Sequence, residues 1–169
     1  MGFFTPNPEK VGLNVSPQHF TADLLDSLYP SRAFDLDFCV TRHPMDRLIS
    51  EYRFRHRTLY DRCLSVRPFD QWAREVLNIA SEQNDYLDNH LRAQSDFVSP
   101  ETECFRFEDG LLEPLNAAAR ALQIPLFDNS QLPRRLVAPP IEFDIGEETL
   151  SLVAQTYAAD FEKFDYSAA

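Results

Sequence analysis

Between Asp37 and Arg53 the sequence passes from an apolar run straight into a basic turn and then a helical pattern, DFCVTRHPMDRLISEYR. Residues Phe34 to Thr41 first alternate and then become continuously apolar, as a strand entering a buried sheet does. Pro44 suits the first turn of a helix, because its missing N–H would be unpaired there anyway and its φ is already helical. Leu48, Ile49, Tyr52 and Leu59 then continue a helical stripe, with Arg and His on the other sides. A strand that runs directly into a helix is half of a βα unit. Glu103 to Phe107 followed by EDGLLEPLNAAARALQ repeats the arrangement, with Leu111, Leu112, Leu115, Ala118, Ala119 and Leu122 on one helix side. Two such units predict an α/β fold with a parallel sheet and flanking helices.

Ligands of open α/β sheets gather beyond the carboxyl ends of the strands, where the next helix offers unpaired N–H groups and the positive end of its dipole. Arg42 falls at that place, Ser50 two turns into the following helix, and Arg47 three residues before Ser50 on the same face. An anion beside the helix could take a guanidinium fork from Arg42 and a hydroxyl from Ser50. In the competing reading Arg42 pairs with a nearby carboxylate and Ser50 fills a crowded helix contact.

Charge distribution sharpens the choice. The chain carries a net charge of −11, which argues against non-specific nucleic-acid binding. Yet residues 42–67 hold seven arginines against three acids. An arginine-rich island in an acidic protein fits a small polyanion, and it also fits a solvated helix face.

The remaining segments complete one domain of 169 residues. Residues 1–15 read as an irregular leading segment. SPQHFTADLLDSLYP reads as a short amphipathic helix with Ser16 as N-cap and Pro17 at its first position. Residues 70–82 read as a helix capped by Asp70, with Trp72, Val76, Leu77 and Ile79 as its stripe. Asn84 to Pro100 reads as a polar loop, 124–145 as proline-broken and irregular, and Glu147 to Phe161 as a closing helix. Cys39, Cys63 and Cys104 have no metal-type or disulfide-type spacing, and Cys39 and Cys104 lie in strand-like runs where buried thiols are usual. With no apolar run of about 18 residues and no signal-peptide pattern, a cytoplasmic protein without a membrane segment is expected.

The string VTRHPMDRLISEYR resembles the 3′-phosphate-binding segment of the carbohydrate-type sulfotransferases and their bacterial relatives, R-x-P-x-x-R-x-x-S-x-Y-R after an apolar strand. SPQHFTADLL is similar to the helix before that segment in bacterial members. NDYLDNHLRAQSDFV is similar to their acceptor-side loop, CFRFEDG to a later strand ending in Glu-Asp, and YAADFEKFDY to their C-terminal helix. The resemblance covers nearly everything from Ser16 onward. It implies the P-loop-NTPase-like sulfotransferase fold and transfer of a sulfuryl group from 3′-phosphoadenosine 5′-phosphosulfate (PAPS) to a hydroxyl, expected on a carbohydrate. Arg42 and Ser50 would bind the donor's 3′-phosphate, with His43 shaping the turn and Arg47, Tyr52 and Arg53 supporting the helix.

His90, beside the acceptor by the same resemblance, is the expected general base. Arg92 and Gln94 are candidate acceptor contacts. His19 is expected to pack on the first helix, His56 to lie on the arginine-rich face, and Glu108 and Asp109 to cap the following helix. No metal is expected. The glycine-lysine loop that cradles the 5′-phosphosulfate in the family has only a faint echo in Lys10-Val11-Gly12, so the N-terminal part of the fold is expected to be truncated. A chain without that loop could instead be a non-catalytic binder of 3′-phosphorylated adenosine nucleotides or of an acidic protein partner. An uncovered sheet edge would favour a homodimer.

Overall fold

The computed structural model describes residues 14–29, 34–61, 65–132 and 144–167. Lys10 and Cys63 lie outside them, as do the first 13 residues of the expected leading segment and residues 133–143 of the expected irregular stretch 124–145.

A single 3-10 turn, Pro17–His19, precedes helix α1, Ala22–Leu28. The two are separate because Thr21, not Ser16, caps the helix: its hydroxyl accepts from the Leu24 N–H at 3.4 Å. Ser16 is used elsewhere, as described below. Strand β1, Phe38–Thr41, leads through Arg42 and His43 into α2, Pro44–Asp61, so the strand-to-helix junction forms where proline sets it. Helix α3, Phe69–Glu82, begins one residue before the expected cap. Pro68 occupies the cap position, and Asp70 instead accepts from the Gly146 N–H at 3.0 Å, tying α3 to the residue that precedes the Glu147–Thr156 helix.

After turns over residues 84–92 and a 3-10 stretch, Gln94–Phe97, the chain enters strand β2, Glu103–Arg106, and then a 3-10 turn, Phe107–Asp109. Gly110, at φ 95°, redirects the backbone into α4, Leu112–Ala121. The closing segment is two helices rather than one, α5, Glu147–Thr156, and α6, Ala158–Lys163, broken at Tyr157.

Strands β1 and β2 pair in parallel, with Phe38 opposite Glu103 and Thr41 opposite Arg106, and they form a two-stranded sheet among the described residues. The core does not sit on this sheet. It lies between helices, where Met45, Leu48 and Tyr52 of α2 meet Phe69, Trp72, Ala73, Val76 and Leu77 of α3, Val153 of α5, Tyr157 and Leu91. Along β1 only Thr41 is buried, and Phe38 is 37% exposed. The expectation of buried thiols is corrected accordingly: Cys104 is exposed and Cys39 half-buried, in strands whose residues are mostly exposed or half-buried. Burial is still enough to push the Cys39 thiol up to about 11.

Candidate functional site

The turn between β1 and α2 is fixed from three directions. Gln94, 8% exposed, treats Arg42 as a neighbouring strand would: its Oε1 accepts from the Arg42 N–H at 2.8 Å, and its Nε2 donates to the Arg42 carbonyl at 2.8 Å. Asp160, with no exposed surface, holds Gln94 in turn, Oδ2 accepting from the Gln94 N–H and Oδ1 from the Ser95 N–H, each at 2.8 Å. On the third side the His43 N–H donates to Glu108 Oε1 at 2.8 Å, and the Tyr166 hydroxyl donates to Glu108 Oε2 at 3.0 Å. Glu108 thus serves the start of α2; α4 begins at Leu112, and Leu111 at its cap position provides no side-chain cap, which corrects the expected capping role. Burial would raise the Glu108 carboxyl, but these hydrogen bonds and the Arg42 charge outweigh it and hold the group below the ordinary range.

Held in this way, the Arg42 guanidinium lies over the Phe107 ring, 4.9 Å from its centroid. Its Nε is buried without a hydrogen-bond partner among the described residues, and Arg42 forms no ion pair there. Ser50 projects from α2 into the same cavity, about 300 Å³ in volume. The other walls are Arg47, Glu51, His19, Asn89, His90 and Phe97. Arg47 braces the far wall, its two terminal nitrogens donating to the carbonyls of Arg92 and His90 at 2.7 Å each.

That wall has an unusual backbone. Leu87, Asp88 and Asn89 take φ values of 53°, 58° and 63°, three successive left-handed residues. Each costs a non-glycine residue roughly 1–2 kcal/mol, less for Asp and Asn. The turn is stabilised by its contacts: Asp88 accepts from the Ser16 N–H and hydroxyl, both at 2.6 Å, and Asn89 Nδ2 donates to the His19 carbonyl at 2.8 Å. Ser16 therefore anchors this turn rather than a helix.

Two imidazoles face each other across the cavity mouth. The His19 and His90 rings are 4.5 Å apart in an edge-on arrangement, and each has Nδ1 against a carboxylate. His90 Nδ1 lies 3.0 Å from Glu51 Oε2, and His19 Nδ1 2.8 Å from Asp88 Oδ2. Carboxylates in these positions fix the Nδ1–H tautomer and leave Nε2 as the basic nitrogen. Burial would raise Glu51, but hydrogen bonds and charge from His90 and Arg55 hold it below the usual carboxylate range. Asp88 is lowered likewise, by Ser16 and His19 against the opposing effect of burial.

Of the residues singled out from sequence, Arg42, Arg47, Ser50 and His90 share this cavity. The Gln94 amide is spent on Arg42 and Asp160, so its place in the site is as the support of Arg42. Arg92 turns its side chain to Asp96, 2.6 Å away. His43 reaches the Ser167 carbonyl at 2.9 Å and packs on Phe161 and Tyr166, and His56 binds the Tyr52 carbonyl beside Trp72. Tyr52 is a core residue and Arg53 is half-buried on α2. Sequence reasoning missed Glu51, Asp88, Asn89 and the cavity position of His19. The Asp-Asn pair before His90, residue types that tolerate left-handed backbone, was the available signal.

Among comparisons with known proteins, the family model described as "Sulfotransferase family" matches residues 30–167. No curated protein and no solved structure matches the chain. No described helix is long and apolar enough to cross a membrane.

Proposed function

Because the chain belongs to the sulfotransferase family, we propose that it transfers a sulfuryl group from PAPS to a hydroxyl, on a carbohydrate acceptor, with Arg42 and Ser50 holding the donor's 3′-phosphate. The observation that carries this reading is the Arg42 side chain: its Nε is buried and unpartnered among the described residues, beside a cavity that also receives the Ser50 hydroxyl. A buried donor without an acceptor is costly, and a phosphate oxygen is the acceptor a guanidinium fits best.

The donor, when bound, supplies the activated sulfuryl group; the chain's own residues bind it and manage the acceptor proton. His90 takes that proton at Nε2, with Glu51 fixing its tautomer and stabilising the imidazolium that forms. His19 stands close enough to hydrogen-bond the same acceptor. Arg47 positions His90 through its carbonyl and needs no direct contact with substrate.

Thermal unfolding with and without 3′,5′-adenosine bisphosphate tests the donor site, since a ligand that binds only the folded chain raises the midpoint. The midpoint is expected to rise for the unmutated chain and to stay fixed for Arg42→Ala. A midpoint unmoved by nucleotide in the unmutated folded chain would overturn the reading. A second reading, a binder that holds the nucleotide without turnover, is favoured by one observation: no lysine lines the cavity among the described residues. Nucleotide binding without measurable transfer to any hydroxyl acceptor would select it.

A further inference from the structure

One atom from each of His19, Asp88 and His90 lies within 4.8 Å of the other two, a trio that neighbouring sequence gives no hint of because residue 19 and residues 88–90 are far apart in the chain. We propose that these three side chains form a binding site for a first-row divalent transition ion, zinc above all.

Two imidazole nitrogens and a carboxylate oxygen are a ligand set suited to zinc and its neighbours, and unsuited to magnesium or calcium, which take oxygen. Ligands at zinc's bond lengths of about 2.0–2.2 Å stand roughly 3.3–3.6 Å apart, so side-chain rotations of about an ångström close the present spacing.

The surrounding groups are those a metal site requires. A metal-bound histidine gives its other ring nitrogen to a carboxylate or carbonyl, which fixes the ring and raises its basicity. His90 does so with Glu51 Oε2 at 3.0 Å, which leaves its Nε2 for the ion, whereas His19 Nδ1 and Asp88 Oδ2, 2.8 Å apart, stand as two adjacent ligands. An ionised carboxylate has about four lone-pair sites. Two on Asp88 are taken, by the Ser16 N–H and the Ser16 hydroxyl, and the ion would take the place of the proton now shared with His19.

Glu51 and Asp88 bring two carboxylates to a neighbourhood that also holds the cationic Arg42 and Arg47 of the cavity wall. Three protein ligands leave a fourth position open to the cavity. Asn89 Oδ1, on a side chain 4% exposed and without a partner among the described residues, sits in that wall as an acceptor for a metal-bound water. His90 Nε2, which would ligate the ion, is also the nitrogen that would take a substrate proton, so metal occupancy and proton removal exclude one another.

The test is titration of the full, metal-free chain with Zn²⁺ against a competing chromophoric chelator near pH 7.5, with the imidazole nitrogen resonances followed by NMR. One equivalent of zinc is expected to bind and to shift the His19 and His90 ring nitrogens, leaving those of His56 in place. His19→Ala and His90→Ala are each expected to weaken binding at least about tenfold, with His56→Ala as the unchanged control. The proposal is overturned if zinc leaves both ring resonances unmoved, or if binding persists undiminished in both variants, as capture by the cysteine thiols would make it. The NMR measurement uses the unmutated chain, so a variant that fails to fold does not decide the result.

Discussion

Asp160 fixes the backbone of Arg42 through an intermediary, Gln94. It is fully enclosed and its oxygens accept from the Gln94 and Ser95 backbone and from the Gln94 amide that clamps Arg42. Asp160→Ala strands these buried donors, and a loss of about 3 kcal/mol in unfolding free energy is expected in a denaturant titration. The nucleotide-induced rise in unfolding midpoint should shrink with it. Glu51 makes a second prediction at this scale. Its carboxyl is lowered in the folded chain, so it contributes stability that is present above the unfolded carboxylate pKa and is lost as pH falls through the folded value. Unfolding midpoints measured from pH 6 down to 3 should fall less steeply for Glu51→Gln than for the unmutated chain. In transfer assays, His90→Ala is expected to lower the rate about 10²- to 10⁴-fold, the usual contribution of a general base. Glu51→Gln should cost less and move the pH–rate profile.

Among the elements, the end of α4 shows a backbone motif filled by the wrong residue. The Ile124 N–H donates to the Ala119 carbonyl at 3.0 Å and the Gln123 N–H to the Arg120 carbonyl at 3.2 Å, with Gln123 left-handed at φ 55°. Glycine is favoured at that position. Gln123 is exposed, so Gln123→Gly removes strain without removing packing, and a gain of about 0.5–1 kcal/mol is expected by chemical denaturation. Helix ends of this kind separate what the sequence revealed from what it did not. The β1–α2 junction was readable because an apolar run, Arg42 and Pro44 each act locally. The split at Tyr157 was not, since the apolar stripe continues across it and only φ and ψ break. The site divides in the same way. Arg47 and Ser50 follow from helical spacing along α2 and Arg42 from its place at the strand end, whereas His19 and Asp88 meet through a left-handed turn that no periodicity announces.

For the whole molecule, the C-terminal residues act as a latch over the ends of both strands. The Tyr166 hydroxyl joins Thr41 and Glu108, Arg106 donates to the Phe164 carbonyl at 2.6 Å and lies over the Tyr166 ring, and His43 holds the Ser167 carbonyl. A chain ending at Lys163 is therefore expected to lose nucleotide binding along with several degrees of thermal stability, which the same unfolding scans would read. The helical core, built on α2, α3 and α5, should survive that truncation as residual far-ultraviolet helicity. Asp160 lies in this last stretch as well, and that position affects how the molecule is made. A ribosome releases the chain from its N-terminus, and domains settle as units once their partners have emerged. While the exit tunnel encloses Asp160, Gln94 lacks its anchor and the arginine turn has no defined shape. The nascent chain thus carries the arginine turn without its Gln94 clamp until residue 160 has left the tunnel.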